Sequence, residues 1–148
     1  MIKQALVAAL FLLAALGARA GVVDIDSAEV AKLAAAGVPV IDIRTEAEWR
    51  ESGVIAGARL MTYFDENGRA DPPVWLEKLK AATGAGKPVI LICRSGNRTK
   101  AASRFLAEQA GYATVYNARD GMRSWLKEGR PVVPPGSALA TCPAGRAC

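Results

Sequence analysis

The chain contains no histidine and only three cysteines, none of them in a Cys-x-x-Cys pair. The first absence removes the commonest general base and the commonest metal ligand together. Both absences leave no recognisable zinc, haem or thioredoxin-type framework. Neither a metal nor a cofactor is therefore expected. An enzyme built from these residues has to work without imidazole. A thiolate allows this, because a nucleophile that is already ionised needs no proton removed at the moment of attack. The chain also lacks an apolar run long enough to cross a bilayer: the stretch from Ala5 to about Leu16 falls well short of the ~20 residues required. Lysine and arginine outnumber aspartate and glutamate, 19 to 14, but form no long run, so charge makes no case for nucleic acid.

Residues 1–20 read as an export leader rather than as part of a fold. Lys3 supplies a positive start, the apolar stretch follows, and Ala18-Arg19-Ala20 is a small-x-small cleavage pattern. Cleavage would leave Gly21 as the mature N-terminus in a periplasmic or secreted protein; an uncleaved anchor is the alternative. Losing Lys3 and Arg19 lowers the net charge from +5 to +3, and the 128 residues that remain suit one domain with a single core.

From Gly21 onward, short apolar runs alternate with helical patterns. Val22–Ile25 reads as a strand, and Asp26-x-x-Glu29 as a capping box opening a helix to about Ala36. Val38–Ile43 is a second strand. Thr45-x-x-Glu48 is a second capping box, for a short helix through Trp49 to Glu51. Ala58–Met61 reads as a weak strand. Asp71-Pro72-Pro73 opens a helix carrying Trp75, Leu76 and Leu79. Ala113–Tyr116 is a further strand, and Asp120-Gly121 leads into a last short helix with Trp125. Such alternation predicts an α/β fold: a central parallel sheet of about five strands with helices on both faces. The three tryptophans are expected in packing rather than in a recognition cage.

Val89–Thr99 is where the chemistry concentrates. Val89-Ile90-Leu91-Ile92 has the continuous apolar character of a strand buried on both faces. Cys93 then stands at its carboxyl end, followed by Arg94, Ser95, Gly96, Asn97, Arg98 and Thr99, after which a helix is predicted over Arg98–Ala110. In open α/β sheets ligands bind outside the carboxyl ends of the strands. A thiol at a strand-to-helix turn faces backbone N–H groups and the positive end of the helix dipole, which push it toward thiolate. Of the two arginines, Arg98 has the stronger claim to an anion, while Arg94 suits a positive lip. Asp42 and Arg44, at the end of the neighbouring strand, are expected to pair and fix the loops around the site, with direct substrate contact as the sharper alternative.

The run Cys93-Arg94-Ser95-Gly96-Asn97-Arg98-Thr99 resembles the active-site loop of the rhodanese family of sulfurtransferases. Val40-Ile41-Asp42-Ile43-Arg44-Thr45-Glu46-Ala47-Glu48-Trp49 resembles that family's first signature, and Asp120-Gly121-Met122-Arg123-Ser124-Trp125 its last. The resemblance implies one rhodanese-like domain over residues 21–133. It implies a Cys93 persulfide that carries sulfur from a small anionic donor such as thiosulfate to a thiol or cyanide. It further implies that the loop residues Arg94 to Thr99 bind the substrate. A monomer is expected, with a thiol-bearing protein as a conceivable acceptor. Two positions depart from the family: Val54 replaces a common histidine, and Asp120 replaces the first of two glycines.

Residues 134–148 form a tail rich in proline, glycine and alanine, expected to wrap the surface or stay disordered. In an oxidising compartment Cys142 and Cys148 are most simply a disulfide; relay or regulation of the Cys93 sulfur is the alternative. Two other functions compete with sulfur transfer. One is a non-turnover sulfane-sulfur carrier or partner-binding module. The other is a cysteine-dependent phosphatase, which requires cysteine, five residues, then arginine. Counting from Cys93 that place holds Thr99, with Arg98 one residue early, so the loop is too short for a phosphate tetrahedron. The leader is tested by N-terminal sequencing of protein from the cell envelope: Gly21 is expected as the first residue, whereas Met1 in a membrane fraction would mean an anchor.

Overall fold

The computed structural model describes residues 21–139. The proposed leader and the proposed Cys142–Cys148 disulfide both lie outside the described residues. In chain order the elements are β1 (Gly21–Ile25), α1 (Ser27–Ala35), β2 (Val40–Asp42), α2 (Glu46–Ser52), β3 (Arg59–Leu60) and α3 (Pro72–Thr83). They continue with β4 (Val89–Ile92), α4 (Asn97–Gln109), β5 (Thr114–Ala118), α5 (Gly121–Lys127) and α6 (Pro135–Leu139). The strands form one sheet in the order β1-β5-β4-β2-β3, and every pairing is parallel.

Alternation along the central strands divides the core in two. Ile90 and Ile92 of β4 pack with Val30 of α1 and with Met122 and Trp125 of α5. Val89 and Leu91 pack on the other face with Trp75 and Leu79 of α3 and with Ala102 and Leu106 of α4. Helices thus cover both faces, as continuous apolar strands require. Both predicted capping boxes are present: Asp26 with Glu29 on α1, and Thr45 with Glu48 on α2. The three indole N–H groups donate to Asp42, to the Met61 carbonyl and to the Pro131 carbonyl, so each tryptophan has a packing role.

This strand order makes the carboxyl ends of β2 and β4 the point where the chain diverges. Asp42 pairs with Ile92 across the two strands. From there β2 leads to α2, whose Trp49 packs on the first face, while β4 leads to α4 on the second. Divergence of neighbouring connections opens the crevice in which such sheets bind ligands. Cys93 and Asp42 sit at its base.

Boundaries moved where tertiary contacts overrode local pattern. β2 is three residues rather than six: residues 38 and 39 precede its pairing with Ile90, and Ile43 follows its last ladder pair, Asp42 with Ile92. β5 runs on to Ala118 because its parallel register with β1 holds through Ile25↔Ala118. Val133 closes the predicted domain, and the tail read from residue 134 opens with a short helix. Val133 forms an antiparallel bridge with Val54, at 2.9 and 2.8 Å, and the short α6 follows. Val54, the residue in place of the family's histidine, is fully buried beneath this returning segment. Truncation after Pro135 removes most of α6, which packs against the edge strand β3, and should lower thermal stability less than loss of the Val133–Val54 bridge does. Truncation after Arg130 should lower it by about 1–3 kcal/mol by chemical denaturation, because the Trp125 indole loses its acceptor and Val54 its cover.

Candidate active site

Cys93 follows β4 directly, and its side chain is 1% exposed. The Gly96 N–H donates to Sγ at 3.2 Å, and the Thr99 hydroxyl lies 3.5 Å away. That hydroxyl also donates to the Gly96 carbonyl oxygen at 3.1 Å, and in its contact with sulfur either atom can be the donor. Burial pushes the thiol pKa up. The Thr99 hydroxyl and the backbone N–H groups of Thr99, Ser95 and Gly96 more than offset this, and the net direction is below the ordinary value of 9.0. The loop is thus a ring of donors around one sulfur, at the amino end of the 13-residue helix α4.

Two glycines allow the ring to close. Gly96, with φ +94°, caps α4 in the left-handed conformation; a Cβ there would stand 1.9 Å from the Arg119 carbonyl oxygen. Gly121, with φ +59°, begins α5, and a Cβ there would stand 2.5 Å from the Cys93 carbonyl oxygen. Contacts that short exclude any side chain. The close approach lets Met122 N–H donate to the Cys93 carbonyl at 2.8 Å and Arg123 N–H to the Arg94 carbonyl at 3.0 Å. A trans peptide points its N–H opposite to its C=O. Holding the Arg94 carbonyl outward therefore aims the Ser95 N–H inward, toward sulfur.

Asp42 and Arg44 form the pair expected of them, at 0% and 2% side-chain exposure. Asp42 accepts from the Arg44 backbone N–H, from Nε and Nη2, and from the Trp49 indole. The Arg44 guanidinium also donates to Ser52 Oγ at 2.7 Å and to the Gly53 carbonyl at 2.8 Å. Every strong donor direction of this buried cation is thereby used, which makes it a brace between β2 and the end of α2.

Arg98 is placed differently from the sequence expectation. Its two terminal nitrogens donate to both carboxylate oxygens of Glu48, at 2.8 and 2.6 Å. The same Glu48 caps α2 by accepting from Thr45 N–H at 3.0 Å. The physical reason is a carboxylate already in place: a bidentate guanidinium–carboxylate pair is among the stronger hydrogen-bonded contacts. The clamp joins the first turns of α2 and α4, the helices that follow β2 and β4, across the crevice. Local reading found Glu48 as a cap; its second partner, 50 residues away, gave no signal in the sequence.

Arg94 and Asn97 are exposed, Ser95 is half-buried, and Gly96 and Thr99 are buried. A cavity of about 350 Å³ beside the loop is lined by Arg94 together with Arg44 and Glu48, and by Arg123 and Leu126 of α5. Arg123 drew no attention as a site residue in the sequence. Its position within the last signature, two residues after the glycine, was the available clue.

Known proteins resemble the chain in sequence and in fold. A family model described as "Rhodanese-like domain" matches residues 26–128. A sulfurtransferase of Allochromatium vinosum is 30% identical over 98 residues, covering 66% of this chain and 80% of that protein. A chloroplastic thiosulfate sulfurtransferase of Arabidopsis thaliana is 31% identical over 98 residues, covering 65% and 80%. Among solved structures, a rhodanese-related protein of Thermoplasma volcanium superimposes with a TM-score of 0.57 at 31% identity, covering 74% of this chain and 96% of that one. A protein of M. tuberculosis, at 24% identity, gives a TM-score of 0.64 and covers 75% and 96%, a likeness of fold.

The Glu48–Arg98 clamp carries a pH signature. The Arg98 guanidinium, with lesser help from Thr45, lowers the Glu48 pKa from 4.5 to about 2, against the opposing effect of burial. A depressed carboxylate pKa contributes stability that is full above about pH 4.5 and is lost as the pH falls toward 2. Glu48→Gln keeps a capping side chain but removes the charge. It should lower stability at pH 7 by about 1–2 kcal/mol and flatten the stability–pH curve between those limits, measured by denaturant titration.

Proposed function

The chain belongs to the rhodanese-like family, and from that premise we propose that it is a sulfurtransferase working through a persulfide on Cys93, with thiosulfate or a related anion as donor. The observation that carries this reading is the buried Cys93 sulfur ringed by the N–H groups of its own loop, Gly96 N–H at 3.2 Å. Such a ring favours a thiolate and accommodates an anionic sulfur one bond further out.

The cycle has two steps. The Cys93 thiolate attacks the outer sulfur of thiosulfate. A sulfur–sulfur bond forms to Cys93, the sulfur–sulfur bond of the donor breaks, and its electron pair leaves with sulfite. The terminal sulfur of the resulting persulfide is then attacked by cyanide or a thiolate, giving thiocyanate or a new persulfide and restoring the Cys93 thiolate. No imidazole is needed at either step, which suits a chain without histidine. The loop N–H groups hold the negative charge on sulfur in both resting and loaded states. Asp42, Arg44, Glu48 and Arg98 keep the two sides of the crevice in register. With the leader read as cleaved, the place of action is the periplasm or the exterior.

Mass spectrometry of the purified protein tests this. Thiosulfate should add one sulfur atom to Cys93, dithiothreitol should remove it, and cyanide should sustain repeated sulfite release. Cys93→Ser should abolish all three, because an un-ionised hydroxyl neither attacks nor carries sulfur in this way. Sulfur found on Cys142 or Cys148 in that variant, with turnover retained, would overturn the assignment. A single stoichiometric load with no turnover in either acceptor would make the protein a carrier. Phosphate release from an aryl phosphate is not expected.

A further inference from the structure

The charged side chains around the cysteine loop are not equally available. Arg44 is committed to Asp42, Ser52 and the Gly53 carbonyl, and Arg98 to both oxygens of Glu48. Those two arginines are the ones the first signature and the loop itself would offer to an anion. The 350 Å³ cavity then keeps two cations that form no ion pair among the described residues, Arg94 and Arg123, against one unpaired carboxylate, Glu51. Both arginines are exposed.

Arg123 has the more defined position of the two. Its backbone N–H is bonded to the Arg94 carbonyl, so its side chain springs from a point fixed to the loop. It also lines a second cavity of about 240 Å³ on the other flank of the loop, with Ser95, Ser124 and Lys127. That second cavity offers Lys127 as its other cation and Asp120, paired with Arg119, as its carboxylate; it is the smaller of the two and has no apolar lining residue. The larger cavity combines two cations, one of them Arg94, the residue directly after Cys93, with apolar lining from Met122 and Leu126. A guanidinium presents paired N–H donors whose spacing matches two oxygens of a tetrahedral oxyanion.

We propose that Arg123, acting with Arg94, is the specificity-determining cation of this site: it holds the sulfonate of an anionic sulfur donor while the outer sulfur reaches Cys93. The inference rests on the sulfurtransferase reading and assigns to α5 a recognition role that the loop arginine Arg98 does not fill. A donor with a second negative charge and three oxygens gains from both arginines. A donor with fewer gains less.

Steady-state kinetics with two donors test it, with cyanide as acceptor. Thiosulfate carries two negative charges and methanethiosulfonate, with a methyl group in place of one oxygen, carries one. Arg123→Ala should raise KM for thiosulfate about tenfold with kcat little changed, and raise KM for methanethiosulfonate distinctly less. Arg123→Lys should recover part of the loss, because charge returns without the paired donors. Lys87→Ala, which removes one positive charge at the opposite end of β4, controls for net charge. An Arg123→Ala KM for thiosulfate equal to that of the wild type would overturn the proposal, as would an equal rise for both donors. So would a kcat that falls with KM unchanged, since that would mark a role in chemistry or folding. Wild-type protein inert toward both donors would overturn the sulfurtransferase reading as well, which separates the two failures.

Discussion

Two backbone hydrogen bonds, from Met122 to the Cys93 carbonyl and from Arg123 to the Arg94 carbonyl, determine most of what the loop does. They are ordinary in length and neutral in charge. Their importance comes from geometry: turning a carbonyl outward obliges the N–H on the same peptide to turn inward. The ring of donors around Sγ is thus held from outside, by the first turn of α5. Gly96 and Gly121 are the condition for that hold, since each passes within contact of a carbonyl that any side chain would strike.

Around this the polar braces have divided tasks. Asp42 and Arg44 are buried and saturate each other, together with Trp49, Ser52 and the Gly53 carbonyl. Removing one partner of such a pair leaves an uncompensated buried charge, so each of the two residues depends on the other. Glu48 and Arg98 lie nearer the surface and connect the first turns of α2 and α4 on the two sides of the crevice. The sheet order makes both braces necessary. It sends the segments after β2 and β4 to opposite faces at the point where the cysteine sits, and the crevice between them is tied by both braces.

Much of this was legible in the sequence, for reasons that can be stated residue by residue. Val89–Ile92 is short, apolar and interrupted by charge, so the end of the central strand and the place of Cys93 follow from local pattern. Asp26 with Glu29 and Thr45 with Glu48 announce two helix starts by spacing alone. Directions of long side chains are different. Arg98 was drawn to Glu48 by a contact between segments 50 residues apart, and the return of Val133 to Val54 spans 79 positions. Nothing in a local window encodes either. Arg123 went unremarked because an exposed arginine on a short helix is ordinary until the helix is seen to rest on the loop.

The burial of the Cys93 sulfur has a consequence for the traffic through the site. With the whole residue 1% exposed, its sulfur would be reached only by something slender, so in the proposed cycle loading would select by the width of the donor's tip. Once a second sulfur is attached, the reactive atom stands about 2 Å further out, the length of one sulfur–sulfur bond. In the proposed cycle the inbound and outbound molecules therefore meet different apertures. The resting enzyme is narrow and admits a small anion; the charged enzyme offers its cargo near the rim, where a bulkier recipient can take it.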